Sequence, residues 1–68
     1  MITCPVCNEE LNSEYLNYVM DKLSRYKDSI FQTEAEQCPK CQKEIVFKKL
    51  ALSYYLINGD KEILIGGA

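Results

Sequence analysis

The chain has 68 residues, 47% of them apolar and 26% charged, with four cysteines, no histidine, no tryptophan and a formal net charge of −2. That length gives one domain with a thin core, because a chain of about 60 residues buries only about 60% of its unfolded surface. Such scaffolds draw stability from a metal, from disulfides or from a partner chain. The composition is that of a globular domain and argues against disorder, and the missing imidazole removes the Ser-His and Cys-His arrangements, which speaks against an enzyme.

In chain order the first element is a cysteine turn, Cys4-Pro5-Val6-Cys7. Its proline fixes φ near −65° and helps the turn begin. Next, Asn12 or Ser13 can cap a helix, and Glu14 suits its positive end. Tyr15, Val19, Leu23 and Tyr26 recur at helical spacing, with Leu16 and Met20 widening the stripe. Asp21, Lys22, Arg25 and Asp28 fall mostly on the other side. The spacing predicts a helix over residues 13–28 whose apolar face packs on the rest of the domain.

An extended segment then runs from Ile30 into Cys38. Glu34-Ala35-Glu36 is a poor strand former, which predicts a short or partly irregular arm. The second cysteine turn, Cys38-Pro39-Lys40-Cys41, leads to Glu44-Ile45-Val46-Phe47-Lys48, rich in β-branched and aromatic residues. The two segments are expected as the arms of a hairpin around this turn. Leu52–Ile57 and Lys61–Ile65 flank Asn58-Gly59-Asp60, and Asn-Gly between apolar runs signals a hairpin because both residues accept positive φ. Phe47, Leu50, Ala51 and Tyr54 also fit a helix, so residues 47–57 stay open between strand and helix, with the hairpin favoured.

The two cysteine frames are identical in form, and thirty residues separate Cys7 from Cys38. Two thiolates three positions apart let one tight turn aim both sulfurs at a single point. Two such turns brought together make a tetrahedral cage, the closed geometry of structural zinc. The expected ligands of one Zn2+ are Cys4, Cys7, Cys38 and Cys41. Three alternatives compete. A redox dithiol would place its motif after a strand and at a helix start, whereas Cys4 has three residues before it. Paired disulfides suit an oxidising compartment. Iron is the third, since the chain is similar to rubredoxins in having two CxxC turns about thirty residues apart. It departs from them in lacking tryptophan and in placing Asn8 and Gln42 where a glycine normally follows each turn. Asparagine enters the left-handed backbone readily and glutamine less so.

At the cysteine frames and the residues around them, the chain resembles the zinc-ribbon group of folds, over roughly half its length. The resemblance implies metal binding and leaves function open, because ribbons serve many unrelated roles. The expected architecture is α+β: a small zinc-ribbon-like domain spanning residues 1–68, with a helix between the two CPxC turns and β-hairpins at the C-terminal end. Met1–Pro5 carries neither a basic region nor an apolar run. The longest apolar stretch, residues 50–57, is far short of the roughly 18 residues of a membrane helix. A cytoplasmic protein without membrane association is expected.

Charge divides unevenly along the chain. Residues 1–37 carry seven acids against three bases, and residues 38–68 five bases against three acids. Zinc on four thiolates would lower the net charge by a further two, which does not favour a polyanion. A closed Cys4 site leaves no open position for water, and no Gly-rich phosphate loop or nucleophile elbow is present. The expected function is therefore a non-catalytic zinc-binding protein that acts as a protein–protein interaction or regulatory module, such as an inhibitor or adaptor. Five tyrosines in 68 residues support a protein partner. Self-association through Leu52–Ile57 or Lys61–Ile65 is one form of this. The alternative is a nucleic-acid-binding ribbon of transcription or translation, reading phosphates through Lys40, Lys43, Lys48 and Lys49, with Phe47 stacking on a base.

Overall fold

In the computed structural model, which describes residues 2–26 and 31–67, Asn12 is the helix cap. Its Oδ1 accepts the Tyr15 backbone N–H at 2.8 Å, satisfying one of the orphan donors of the first turn. Helix α1 runs Ser13–Ser24. It ends short of the expected residue 28 because the Ser24 hydroxyl donates to the Asp21 carbonyl. The N–H groups of Arg25 and Tyr26 then close the chain onto Lys22 and Leu23 in tighter i→i−3 bonds. Residues 27 and 28 of the expected span, and Ile30, lie outside the described residues.

Four strands follow: β1 (Phe31–Gln37), β2 (Glu44–Leu50), β3 (Ser53–Asn58) and β4 (Lys61–Gly67). They pair in chain order as one antiparallel sheet, so the fold is α+β. β1 is a regular strand of seven residues, not the short or irregular arm its sequence suggests. Its register with β2 sets Gln32, Glu34 and Glu36 opposite Lys49, Phe47 and Ile45, and opposed residues share a face. On that face Glu36 pairs with Lys22 and Glu34 accepts from the Tyr26 hydroxyl. Partners from beyond the strand thus offset the poor strand propensity of its carboxylates.

Residues 47–57 are strand on both sides of a two-residue connection, Ala51-Leu52, with Leu50 paired to Ser53. Ala51 takes φ +55°. β3 and β4 join through Gly59-Asp60, with Asn58 paired to Lys61. Only Gly59 has positive φ there, +64°. The turn is therefore centred one residue later than the Asn-Gly reading places it, with the φ signature of a II′ turn, whose first central position is glycine. Opposite Tyr54 the β3–β4 register shifts, and Gly66 lies under the helix. A Cβ there would stand 2.5 Å from Met20 Sδ, so the missing side chain lets α1 approach the sheet.

The core lies between α1 and one face of the sheet. Leu16, Val19 and Leu23 of the helix meet Leu11, Ile45, Phe47 and Leu56, with Cys4 and Cys38 in the same cluster. Phe47 is fully buried, with the Tyr15 ring edge-on at 6.1 Å. Each fully buried aliphatic or aromatic side chain contributes about 1.5–3 kcal/mol of transfer free energy. The opposite face of the sheet has no helix among the described residues, which therefore form two layers, the helix and the sheet.

Candidate metal centre

Each cysteine frame forms the same backbone turn. In the first, the Cys4 carbonyl accepts the Asn8 N–H and the Cys4 N–H donates to the Glu9 carbonyl, both at 2.9 Å. In the second, the Cys38 carbonyl accepts from Gln42 and the Cys38 N–H donates to Lys43, again at 2.9 Å. The residue after each second cysteine is left-handed, Asn8 at φ +63° and Gln42 at +62°. One further N–H in each turn points at sulfur: Val6 to Cys4 Sγ and Lys40 to Cys38 Sγ, both 3.3 Å. The proline-led frame turns both thiols inward and supplies a backbone donor to one of them.

The turns sit in different surroundings. The second closes the β1–β2 hairpin and is built by strand pairing. The first is pinned by the Thr3–Glu10 bridge and by the Leu11 N–H donating to the Ile2 carbonyl at 2.9 Å. They meet face to face. Cys4 Sγ lies 3.9 Å from Cys41 Sγ, and Cys7 Sγ lies 3.8 Å from Cys38 Sγ. All four sulfurs are within 4.8 Å of one another. A tetrahedral ion with metal–sulfur bonds of about 2.3 Å needs sulfur–sulfur edges of about 3.8 Å. The four thiols are free, their nearest spacing is far beyond a disulfide bond, and the donor set fits a metal ion. All four residues read from the sequence converge on this point.

The site is asymmetric in depth. Cys4 and Cys38 are buried, and Cys7 and Cys41 are half-buried. In the metal-free chain Cys7 is pushed up to about 12. A backbone hydrogen bond at Glu9 favours its thiolate, but desolvation and the three neighbouring thiols together outweigh it. Desolvation also raises Cys38, yet backbone hydrogen bonds at Cys41 and Lys40 and the thiols of Cys4 and Cys41 bring it down to about 7. The crowded sulfurs ionise unequally until a cation neutralises them, so metal binding displaces protons.

Tyr15 was not evident as part of this centre in the sequence. Its hydroxyl donates to the carbonyl of Gln37, the residue before Cys38, at 2.9 Å. The ring braces Phe47 behind the second turn. Its pKa is raised to about 12, by burial first and by Glu36 next, so the hydroxyl keeps its proton. The only sequence signal was that Tyr15 opens the apolar stripe of α1.

The four lysines do not form one surface. Lys40 and Lys43 are exposed on the second turn, whereas Lys48 and Lys49 are buried on opposite faces of β2. Lys48 pairs with Glu62 beneath the rings of Phe31 and Tyr55, and Lys49 donates to the Tyr26 carbonyl at 3.3 Å. Among the described residues no helix is long and apolar enough to cross a membrane. No family model matches the chain, and no curated protein and no solved structure is detectably similar to it.

Proposed function

We propose that Cys4, Cys7, Cys38 and Cys41 hold a structural Zn2+, and that the protein is a small, non-catalytic zinc-ribbon-like module that binds another protein as a regulator, adaptor or inhibitor in the cytoplasm. The observation that carries this reading is the convergence of four thiol sulfurs within 4.8 Å of one another. Four thiolate ligands leave no coordination position for substrate or water, so the ion would serve as a staple between the N-terminal turn and the sheet. Tetrahedral S4 sets suit zinc and iron alike. Asn8 and Gln42 adopt the left-handed backbone without glycine, which removes one ground for setting iron aside. We take zinc, the redox-silent ion, because the site's evident work is structural. Free thiols at this spacing suit a reducing compartment. The dispersal of the lysine quartet is why the reading commits to protein and not to nucleic acid.

Elemental analysis of the purified protein should find one zinc per chain. Replacing zinc with cobalt should give the visible bands of tetrahedral thiolate coordination. Cys7→Ser, or a strong chelator, should abolish the cooperative melt, since apparent structural-zinc energies of about 10–16 kcal/mol exceed what a core of this size supplies. A metal-free chain that kept its full circular-dichroism melt would refute the staple. Affinity capture with the zinc-loaded protein should recover one stoichiometric protein. A salt-dependent gel shift lost on replacing Lys40 and Lys43 would instead favour the nucleic-acid alternative.

A further inference from the structure

The face of the sheet turned away from α1 carries a set of apolar side chains among the polar Thr33, Gln37, Glu44, Lys48, Ser53 and Glu62. Strand alternation and register place Phe31, Ala35, Val46, Leu50, Tyr55, Ile57 and Leu64 there. Phe31, Val46, Leu50 and Leu64 remain 54%, 37%, 43% and 59% exposed, half of the large apolar residues that the described surface exposes. A sheet ordinarily buries an apolar face against a second layer, and contiguous exposed patches of this kind mark interaction sites.

We infer that this face packs against the same face of a second copy of the chain, forming a twofold sheet-on-sheet dimer. The inference deepens the protein-binding reading above by naming the partner. Its first support is charge. Lys48, at the middle of the face, is already neutralised by Glu62 and covered by Phe31 and Tyr55, with its Nζ 5.7 and 5.3 Å from their ring centroids. A copy laid over it leaves no cation unpaired, since Lys48 keeps Glu62 as its partner within one protomer, and the Glu62 side chain, 48% exposed, is the group that gives up water in the dimer. Glu34 and Glu36 are on the helix side, and Glu9 and Glu10 on the first cysteine turn, all off this face. Glu44 sits at the end of the face next to the second turn, and a twofold axis crossing the strands at Lys48, as the inferred dimer requires, sends the two copies of Glu44 to opposite ends. With Lys48 and Glu62 cancelling, the face carries no net charge at its middle and one negative charge per copy at the Glu44 end.

Its second support is area. Four strands about 4.8 Å apart and seven residues at about 3.4 Å give a face of roughly 450 Å² in projection per copy. Two copies together approach the low end of specific interfaces, about 1,200 Å² of accessible surface. Twisted antiparallel sheets pack face to face about 10 Å apart with strands some 30° from alignment. The dimer is therefore weak and concentration-dependent, not obligate.

Sedimentation equilibrium of the zinc-loaded protein, from micromolar to millimolar, should show the mass rising from 7.8 kDa toward twice that value. Val46→Lys and Leu64→Lys should each raise the dissociation constant about tenfold or more. Tyr18→Ser, which removes an exposed aromatic on the helix side, should leave it unchanged. Circular dichroism and the cobalt bands confirm that each variant is folded and metallated, and Leu64→Thr, which keeps strand propensity, serves if lysine disrupts the fold. A clean monomer at millimolar concentration overturns the inference, as does a dimer that survives both lysine substitutions. A monomer that still captures a foreign protein moves the face to that protein and leaves the functional reading intact, whereas loss of zinc stoichiometry overturns that reading by itself.

Discussion

Replacing Gln42 with glycine should make the zinc-loaded protein more stable, although the substitution deletes a side chain beside the metal centre. Gln42 holds φ at +62°, a conformation that costs an L-residue about 1–2 kcal/mol. Glycine removes that strain but adds about 0.4–1 kcal/mol of unfolded-chain entropy. The side chain surrenders only a long, exposed bond from Nε2 to the Pro39 carbonyl, 3.4 Å. At the midpoints of these ranges the difference leaves about 0.8 kcal/mol in favour of Gln42→Gly, or about 3–6 °C in melting temperature for a chain of this size. The first turn supplies an internal control. Asn8 holds the same backbone at +63°, but asparagine tolerates it, so Asn8→Gly should change stability little. Thermal and guanidinium melts at matched free zinc would read both, because unequal metal alone shifts stability. Gln42→Gly no more stable than the parent, with Asn8→Gly shifted equally, would show that left-handed strain does not govern these turns.

Three other outcomes follow from the same structure. Asn12→Ala removes the cap on the Tyr15 N–H and should cost about 1 kcal/mol in a denaturant melt. Gly67→Ala should be strongly destabilising in the same assay, since its Cβ would lie 2.2 Å from the Leu52 carbonyl oxygen at φ +107°. Tyr15 carries its raised pKa, from 10.0 to about 12, into an alkaline prediction. The unfolded chain loses this proton first, so its contribution is full below pH 10 and disappears as pH rises through 12. Tyr15→Phe should flatten that part of the stability–pH curve, and an unchanged slope would show that the hydroxyl is not the group responsible.

The clustering of the four cysteines was legible in the sequence because its geometry is local twice over. Each CPxC frame builds its own turn, and only the meeting of the two turns depends on the fold. The Gly59 hairpin was legible for the same reason, although its centre falls one residue later than Asn-Gly suggests. The Ala51-Leu52 turn was not, since neither residue advertises positive φ and only the pairing of Leu50 with Ser53 demands it. β1 was misjudged at Glu34-Ala35-Glu36 because the groups that stabilise those carboxylates, Lys22 and Tyr26, arrive from the helix. Adjacent Lys48 and Lys49 read as one basic patch in one dimension, but strand alternation sends them to opposite faces, where each meets its own partner.

The unequal support of the two cysteine turns has a consequence for the order of assembly. Three hairpins with short connections can form from residues 31–67 alone, and hairpins close in about 1–10 μs. The second turn lies within this segment, so Cys38 and Cys41 present a prebuilt half-site while the chain before them is still searching. Recruiting Cys4 and Cys7 means closing a loop of thirty residues, an entropy cost of about 3 kcal/mol. An ion bound at the proposed site would thus be captured in two stages, first by the hairpin and then by the returning N-terminus. Its second pair of bonds would draw that segment, with Leu11 and α1 behind it, onto the sheet.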